Sequence, residues 1–148
     1  MKISTKGRYG LRAMVDLATF SNGDHVALSS IAERQGISIN YLEQVFSALR
    51  KAGLVKSIKG AQGGYTLADR PASIKVGSIL RVLEGDLTVI DGDEAAPSDS
   101  SSIQYCLKIM LWDKMNNCLN DLVDAITLED LVNDYKRLNG LNDVMYYI

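Results

Sequence analysis

Leu28-Ser-Ser-Ile-Ala-Glu-Arg-Gln35, Gly36-Ile-Ser38, Ile39-Asn-Tyr-Leu-Glu-Gln-Val-Phe-Ser-Ala-Leu-Arg-Lys-Ala52 and Leu54-Val-Lys-Ser-Ile-Lys-Gly-Ala-Gln-Gly-Gly-Tyr-Thr-Leu67 decide the fold. Leu28, Ile31 and Ala32 recur at i, i+3 and i+4, one face of a short helix over Leu28–Gln35. Ser30 with Glu33 fits a capping box at its start. Gly36 suits the position after its last turn, because glycine takes positive φ without a Cβ clash. Ser38 is a good N-cap for a further helix, Ile39–Ala52. That helix buries Leu42, Val45, Phe46 and Leu49 and turns Asn40, Glu43, Gln44, Ser47 and Arg50 outward. Two short strands follow, Leu54–Ile58 and Gly64–Leu67, around the tip Lys59-Gly60-Ala61-Gln62-Gly63. The order predicts a winged helix-turn-helix.

Outward from this stretch, Thr5–Ser21 reads as a helix broken by Asn22-Gly23-Asp24. Pro71 starts a turn, and Val76–Glu84 reads as a helix closed by Gly85. Residues 1–85 thus form the winged-helix domain, and 86–102 an acidic, serine-rich loop or linker. A long helix over 103–126 carries an apolar stripe of Leu107, Leu111, Met115, Cys118, Leu122 and Ile126. At ~1.5 Å per residue it exceeds ~30 Å, and its broad apolar face wants a partner helix. The stripe is therefore assigned to a dimer interface, with burial inside the same subunit as the alternative. Residues 127–148 comprise a helix over Leu128–Leu138, capped by Thr127 and Asp130 and ended by Asn139-Gly140, then an apolar tail to Ile148. The expected class is mainly α with a small β-hairpin wing.

The net charge of −2 hides an asymmetry: residues 1–84 hold 12 Lys+Arg against 6 Asp+Glu, and residues 85–148 hold 4 against 12. A basic half beside an acidic one suggests that only the first half meets a polyanion, with charge balancing between packed parts as the bland alternative. Glu can accept from a cytosine amine and Gln can pair with adenine, so Glu43 and Gln44 are candidate base readers. Asn40 and the tip residue Lys59 join them as candidate base contacts. Lys2, Lys6, Arg8, Tyr41, Arg50, Lys51, Lys56, Gly60, Gln62 and Gly63 are assigned to phosphates. The glycines would let the wing backbone approach a sugar-phosphate wall.

Other classes recede. With 47% hydrophobic and 23% charged residues the chain is ordinary soluble material, and no run approaches the ~20 apolar residues of a membrane span. Met1–Gly7 has no apolar stretch, so no secretory signal is expected and the cytoplasm is the expected location. No nucleophile–base pair or phosphate loop appears, and the glycine cluster lacks P-loop spacing, so an enzyme is not expected. His25 is the only histidine and reads as a surface residue. Cys118 reads as packing. Cys106, near a helix start, is either buried or a redox sensor with a lowered thiol pKa.

Met1-Lys-Ile-Ser-Thr-Lys-Gly-Arg-Tyr-Gly-Leu11, Ile31-Ala-Glu33, Tyr41-Leu-Glu-Gln44, Leu49-Arg-Lys-Ala-Gly-Leu-Val55, Gly60-Ala-Gln-Gly-Gly-Tyr65, Val82-Leu-Glu-Gly85 and Thr127-Leu-Glu-Asp-Leu131 together resemble the Rrf2 family of bacterial transcription regulators. The likeness spans nearly the whole chain. It implies a homodimer built on the long helix and bound to a palindromic operator of double-stranded DNA. It also implies base reading at Glu43 and Gln44, with Lys59 in the minor groove. Lys59 stands where many members carry Arg, and Asn40 where others have Ser or Glu.

Two branches compete. One resembles the iron–sulfur cluster regulators, which hold their cluster with three cysteines and a histidine. Here Ser100, Ser101 and Ser102 precede Cys106 without a thiol, and Ile109 stands where the histidine is expected. Cys118 lies ~18 Å further along the same helix, so no cluster, metal or other cofactor is expected. The other branch resembles the cysteine-metabolism repressors of Gram-positive bacteria, through the tail Met145-Tyr146-Tyr147-Ile148. That likeness implies a complex with cysteine synthase. The extended tail and its carboxylate would enter a pocket built for an amino-acid substrate, and O-acetylserine would compete. Packing of Tyr146, Tyr147 and Ile148 on the partner subunit is the alternative. A cluster- or thiol-redox-sensing regulator of the same family is the rival function.

Overall fold

The computed structural model describes residues 1–91 and 99–147, excepting the side chains of 141–147. Three helices come first: α1 (Thr5–Phe20), α2 (Leu28–Gln35) and α3 (Ile39–Lys51). Strands β1 (Val55–Ile58) and β2 (Gly64–Leu67) pair antiparallel, with Val55 opposite Leu67 and Ile58 opposite Gly64. A 3-10 turn, Pro71–Ser73, leads into α4 (Val76–Glu84). The fold is the winged helix expected: mainly helical, with one two-stranded hairpin.

One apolar core holds it. Met14 and Leu17 of α1, Ile31 of α2, Leu42, Val45, Phe46 and Leu49 of α3, Val55 of β1 and Ile79 of α4 are all buried together. Full burial of such side chains contributes ~1.5–3 kcal/mol each, so the core dominates the energetics of the domain. Leu128, from the last helix, enters the same core.

The start of α2 at Leu28 is as read, but its cap is not. The helix begins at Leu28 behind Ala27, with no side-chain cap, so Ser30 and Glu33 lie inside it and make no capping box. Ser4 caps α1 instead with help from afar: Glu84 Oε1 accepts from the Ser4 and Gly7 amides at 3.0 and 3.1 Å. A carboxylate there satisfies orphan N–H groups and complements the helix dipole.

The long helix is continuous but not uniform. Helix α5 (Ile103–Leu107), capped by Ser102, passes through a π-helical turn at Lys108–Trp112 into α6 (Asp113–Ala125). The sequence pattern carries no mark of that π turn. Ion pairing of Lys108 Nζ with Asp113 at 2.9 Å spans it.

The last helix is longer than expected. Helix α7 runs Leu128–Tyr147, so Asn139-Gly140 does not end it, and the backbone to Tyr147 is helical rather than an extended tail. Glycine inside a helix costs only ~1 kcal/mol relative to alanine, too little for Gly140 to stop it. The assignments to the side chains of Tyr146 and Tyr147, and to Ile148, lie outside the described residues. So does 92–98, most of the expected linker.

Candidate nucleic-acid interface

Helix α3 is set by its two ends. Gly36 adopts φ +64°, the left-handed conformation that closes α2, and Ser38 Oγ accepts from the Tyr41 amide at 3.1 Å to open α3. The turn is then pinned from behind. Asp16, buried in α1, accepts two bonds from the Arg34 guanidinium at 2.8 and 2.9 Å and one from Gln35 Nε2 at 2.9 Å. The Asp16 hydrogen bond raises the Arg34 pKa above its ordinary value. Removing either partner of such a pair leaves a charge without its complement, so the ion pair acts as a brace for the helix-turn-helix.

With α3 so held, Asn40, Glu43 and Gln44 are exposed on its outer face and line one surface hollow together with Ser47. Arg50 and Lys51 are exposed at its end. Tyr41 is half-buried, its ring edge-on to Tyr9 with centroids 6.0 Å apart. Its neighbour α1 exposes Lys6 and Arg8, the latter donating to Thr5 Oγ1 at 3.1 Å. Lys2 stands apart, in a hollow it shares with Glu84, Asp86 and Asp91.

The wing is fastened on two sides. Phe46 of α3 packs on Tyr65 of β2 at 4.9 Å between centroids. Val26 bonds Tyr65 through both backbone groups at 2.9 Å, a bridge on the far edge of β2. Lys56, Lys59, Gly60 and Gln62 remain exposed. Two of the glycines have internal reasons to be glycine. A Cβ at Gly64 would lie 2.2 Å from the Val26 carbonyl oxygen, and one at Gly63 the same distance from that of Ile58.

His25 is the residue sequence reasoning missed. It is half-buried rather than free at the surface. Its Nε2 donates to the Gln62 carbonyl at the wing tip, and its Nδ1 lies 2.9 Å from Asp24. The 37 residues separating His25 from Gln62 hide this contact from any local pattern.

On the long helix, Leu107, Leu111, Met115 and Leu122 are exposed in the single chain, and so are Cys106 and Cys118. Cys118 is thus not a packed core residue of its own subunit, and Cys106 is not buried. Ile126 departs from the stripe: it is half-buried and packs with Val76, Leu80, Leu87 and Val123.

The donor set does not fit an iron–sulfur cluster. Cys106 and Cys118 are the only thiols of the chain, twelve positions apart on one helix. Among the described residues no three His, Cys, Asp or Glu side chains converge to hold a metal. Nor is any described helix long and apolar enough to cross a membrane.

The family model Rrf2, described as iron-dependent transcriptional regulator, matches residues 3–134. The HTH-type transcriptional regulator CymR of Bacillus subtilis (strain 168) is 44% identical over 134 residues, covering 88% of this chain and 89% of that protein. The solved structure of CymR (YrzC), the global cysteine regulator of B. subtilis, superposes with a TM-score of 0.76 at 41% identity, covering 90% of this chain and 97% of that one. The T. potens IscR structure gives 0.71 at 48% identity, covering 91% and 88%. A basic winged helix-turn-helix, the Rrf2 match over most of the chain and these relatives agree: the chain belongs to the Rrf2 family of DNA-binding transcriptional regulators.

Proposed function

We propose that the protein is a cytoplasmic, homodimeric repressor that binds a palindromic operator, senses no metal cofactor, and controls cysteine and sulfur-metabolism genes through a complex with cysteine synthase. The observation that carries the cysteine branch is the pairing of close likeness to CymR with a donor set unfit for an iron–sulfur cluster. In this reading α3 enters the major groove and reads base edges with Glu43 and Gln44, flanked by Asn40. Lys59 and the exposed tip backbone follow the neighbouring minor groove. Lys6, Arg8, Tyr41, Arg50, Lys51, Lys56, Gly60, Gln62 and Gly63 hold phosphates. Lys2, among carboxylates, contributes least.

The exposed apolar stripe of α5–α6 supports the dimer. Leu107, Leu111, Met115 and Leu122 are each more than two-fifths exposed, which a second copy of the helix would cover. Relatives that are transcriptional regulators support a non-catalytic role.

The tail Tyr146–Ile148 is the proposed sensor arm. Because α7 is helical to Tyr147, capture in an amino-acid pocket requires its last turn to unwind. The test is a calorimetric titration of the protein with cysteine synthase, with and without O-acetylserine, beside a form lacking Tyr146–Ile148. Binding abolished by truncation and reversed by O-acetylserine is expected. No binding by the full chain overturns the partner assignment.

A further inference from the structure

Asn116, Asn120 and Asp124 recur every four residues along α6 and so form one polar row. Asn120 and Asp124 grip α4 of the winged-helix domain, and Asn116 and Asn120 grip the stretch just after it. Asn116 Oδ1 accepts from the Val89 amide at 2.7 Å, and Asn120 Nδ2 donates to the Leu87 carbonyl at 3.0 Å. Arg81 of α4 donates to Asn120 Oδ1 at 2.7 Å and to both oxygens of Asp124 at 2.8 and 2.9 Å. Helix α4 comes close to allow this: a Cβ on Gly77 would lie 2.1 Å from Asp124 Oδ1.

Backbone bonds extend the seam. The Val76 amide donates to Ile126 at 2.9 Å, and the Leu128 amide donates to Ile74 at 2.8 Å. Val76, Leu80, Leu87 and Val123 fill the space behind them. The row sits on the side of α6 turned away from Leu111, Met115 and Leu122, because 3.6-residue periodicity separates the two sets by about half a turn. One helix therefore carries the apolar stripe on one side and the bolted-on winged helix on the other.

We propose that Arg81, held by Asn120 and Asp124, is a positioning residue that sets which separation of DNA half-sites the protein accepts. The inference rests on the dimeric reading above. In a two-fold dimer the distance between recognition helices follows from how each winged helix is fixed to the dimer-forming helix. Dimeric helix-turn-helix proteins read half-sites about one helical turn apart, so a small sliding of α4 along α6 moves α3 out of phase with the second half-site. Arg81 is well made for the task. A bidentate guanidinium–carboxylate pair fixes direction as well as distance, whereas an apolar contact alone permits sliding.

The test uses the full-length protein and duplexes carrying two copies of a half-site that the wild type selects from a randomised pool. Their centre-to-centre separation is varied one base pair at a time, and a single half-site duplex is the control. Wild type is expected to prefer one separation sharply. Arg81→Met keeps the aliphatic stem and is expected to reduce that preference by about tenfold, as loss of hydrogen bonds to a charged group would. Its single half-site affinity and its dimerisation in sedimentation are expected to stay unchanged. Asn120→Ala, which spares the ion pair, is expected to give a smaller change of the same kind and serves if Arg81→Met does not fold. Retained spacing preference in a folded variant overturns the inference alone. A wild type indifferent to spacing overturns the dimeric reading and the inference with it.

Discussion

The His25 imidazole reaches the Gln62 backbone carbonyl, so the segment entering the helix-turn-helix is fastened directly to the tip of the wing. The other ring nitrogen lies 2.9 Å from Asp24. The wing is thereby tied to the same body that carries α3, and its exposed tip residues Lys59 and Gly60 are presented at a set height above it.

His25→Ala is expected to loosen the wing without unfolding the core. One net hydrogen bond is worth ~1 kcal/mol, so operator affinity should fall about fivefold. Amide exchange at residues 60–63 should quicken while that of α3 stays constant. Unchanged exchange at the tip would mean the clip is idle.

Glu43 and Lys6 are expected to fail in different ways. Lys6→Ala should weaken binding to all duplexes alike and lower the slope of log affinity against log salt by ~0.9. Glu43→Ala should leave the slope intact and lower discrimination at one base-pair position by ~1–3 kcal/mol. Equal losses on matched and mismatched operators for Glu43→Ala would remove it from the base-reading set.

Glycine substitutions separate close approach from helix propensity. Gly64→Ala forces a Cβ against the Val26 carbonyl and should destabilise the protein by ~1–3 kcal/mol, seen as a lower urea midpoint. Gly140→Ala meets open space in the interior of α7 and should be neutral or stabilising by up to ~1 kcal/mol.

The seam between α4 and α6 has a pH signature. The hydrogen bond from Arg81 lowers the Asp124 pKa below the ordinary carboxylate value. A lowered folded-state pKa means that the unfolded chain takes up the proton first as pH falls. The stability difference between wild type and Asp124→Asn should therefore be constant above about pH 5 and shrink below about pH 4. A difference that grows on acidification would contradict the pairing.

Helical periodicity and turn chemistry made the winged helix legible. Gly36 and Ser38 marked the turn by the φ and the side-chain oxygen they supply, and the wing strands lie as read except that the first begins at Val55 rather than Leu54. Long-range partners were not legible. Glu84 caps α1, Asp16 braces Arg34, and His25 clips Gln62, each across 18 or more residues. Local pattern misjudged two other places. The π turn at Lys108–Trp112 leaves no mark in the apolar spacing, and Gly140 was given the weight of a stop although the chain continues in helix. On the candidate interface, the exposed row Asn40, Glu43 and Gln44 followed directly from the period of α3. The glycines of the wing were read for DNA approach, yet Gly63 and Gly64 answer first to Ile58 and Val26.

The most direct test of the account is the stoichiometry and salt dependence of binding to one duplex: the palindrome that the protein selects from a randomised pool. Sedimentation should find two chains per duplex, and affinity should fall steeply as salt rises, with the loss cancelled in part by Lys6→Ala. One chain per duplex, or an affinity indifferent to salt, would contradict a dimer that grips DNA through its basic winged helices.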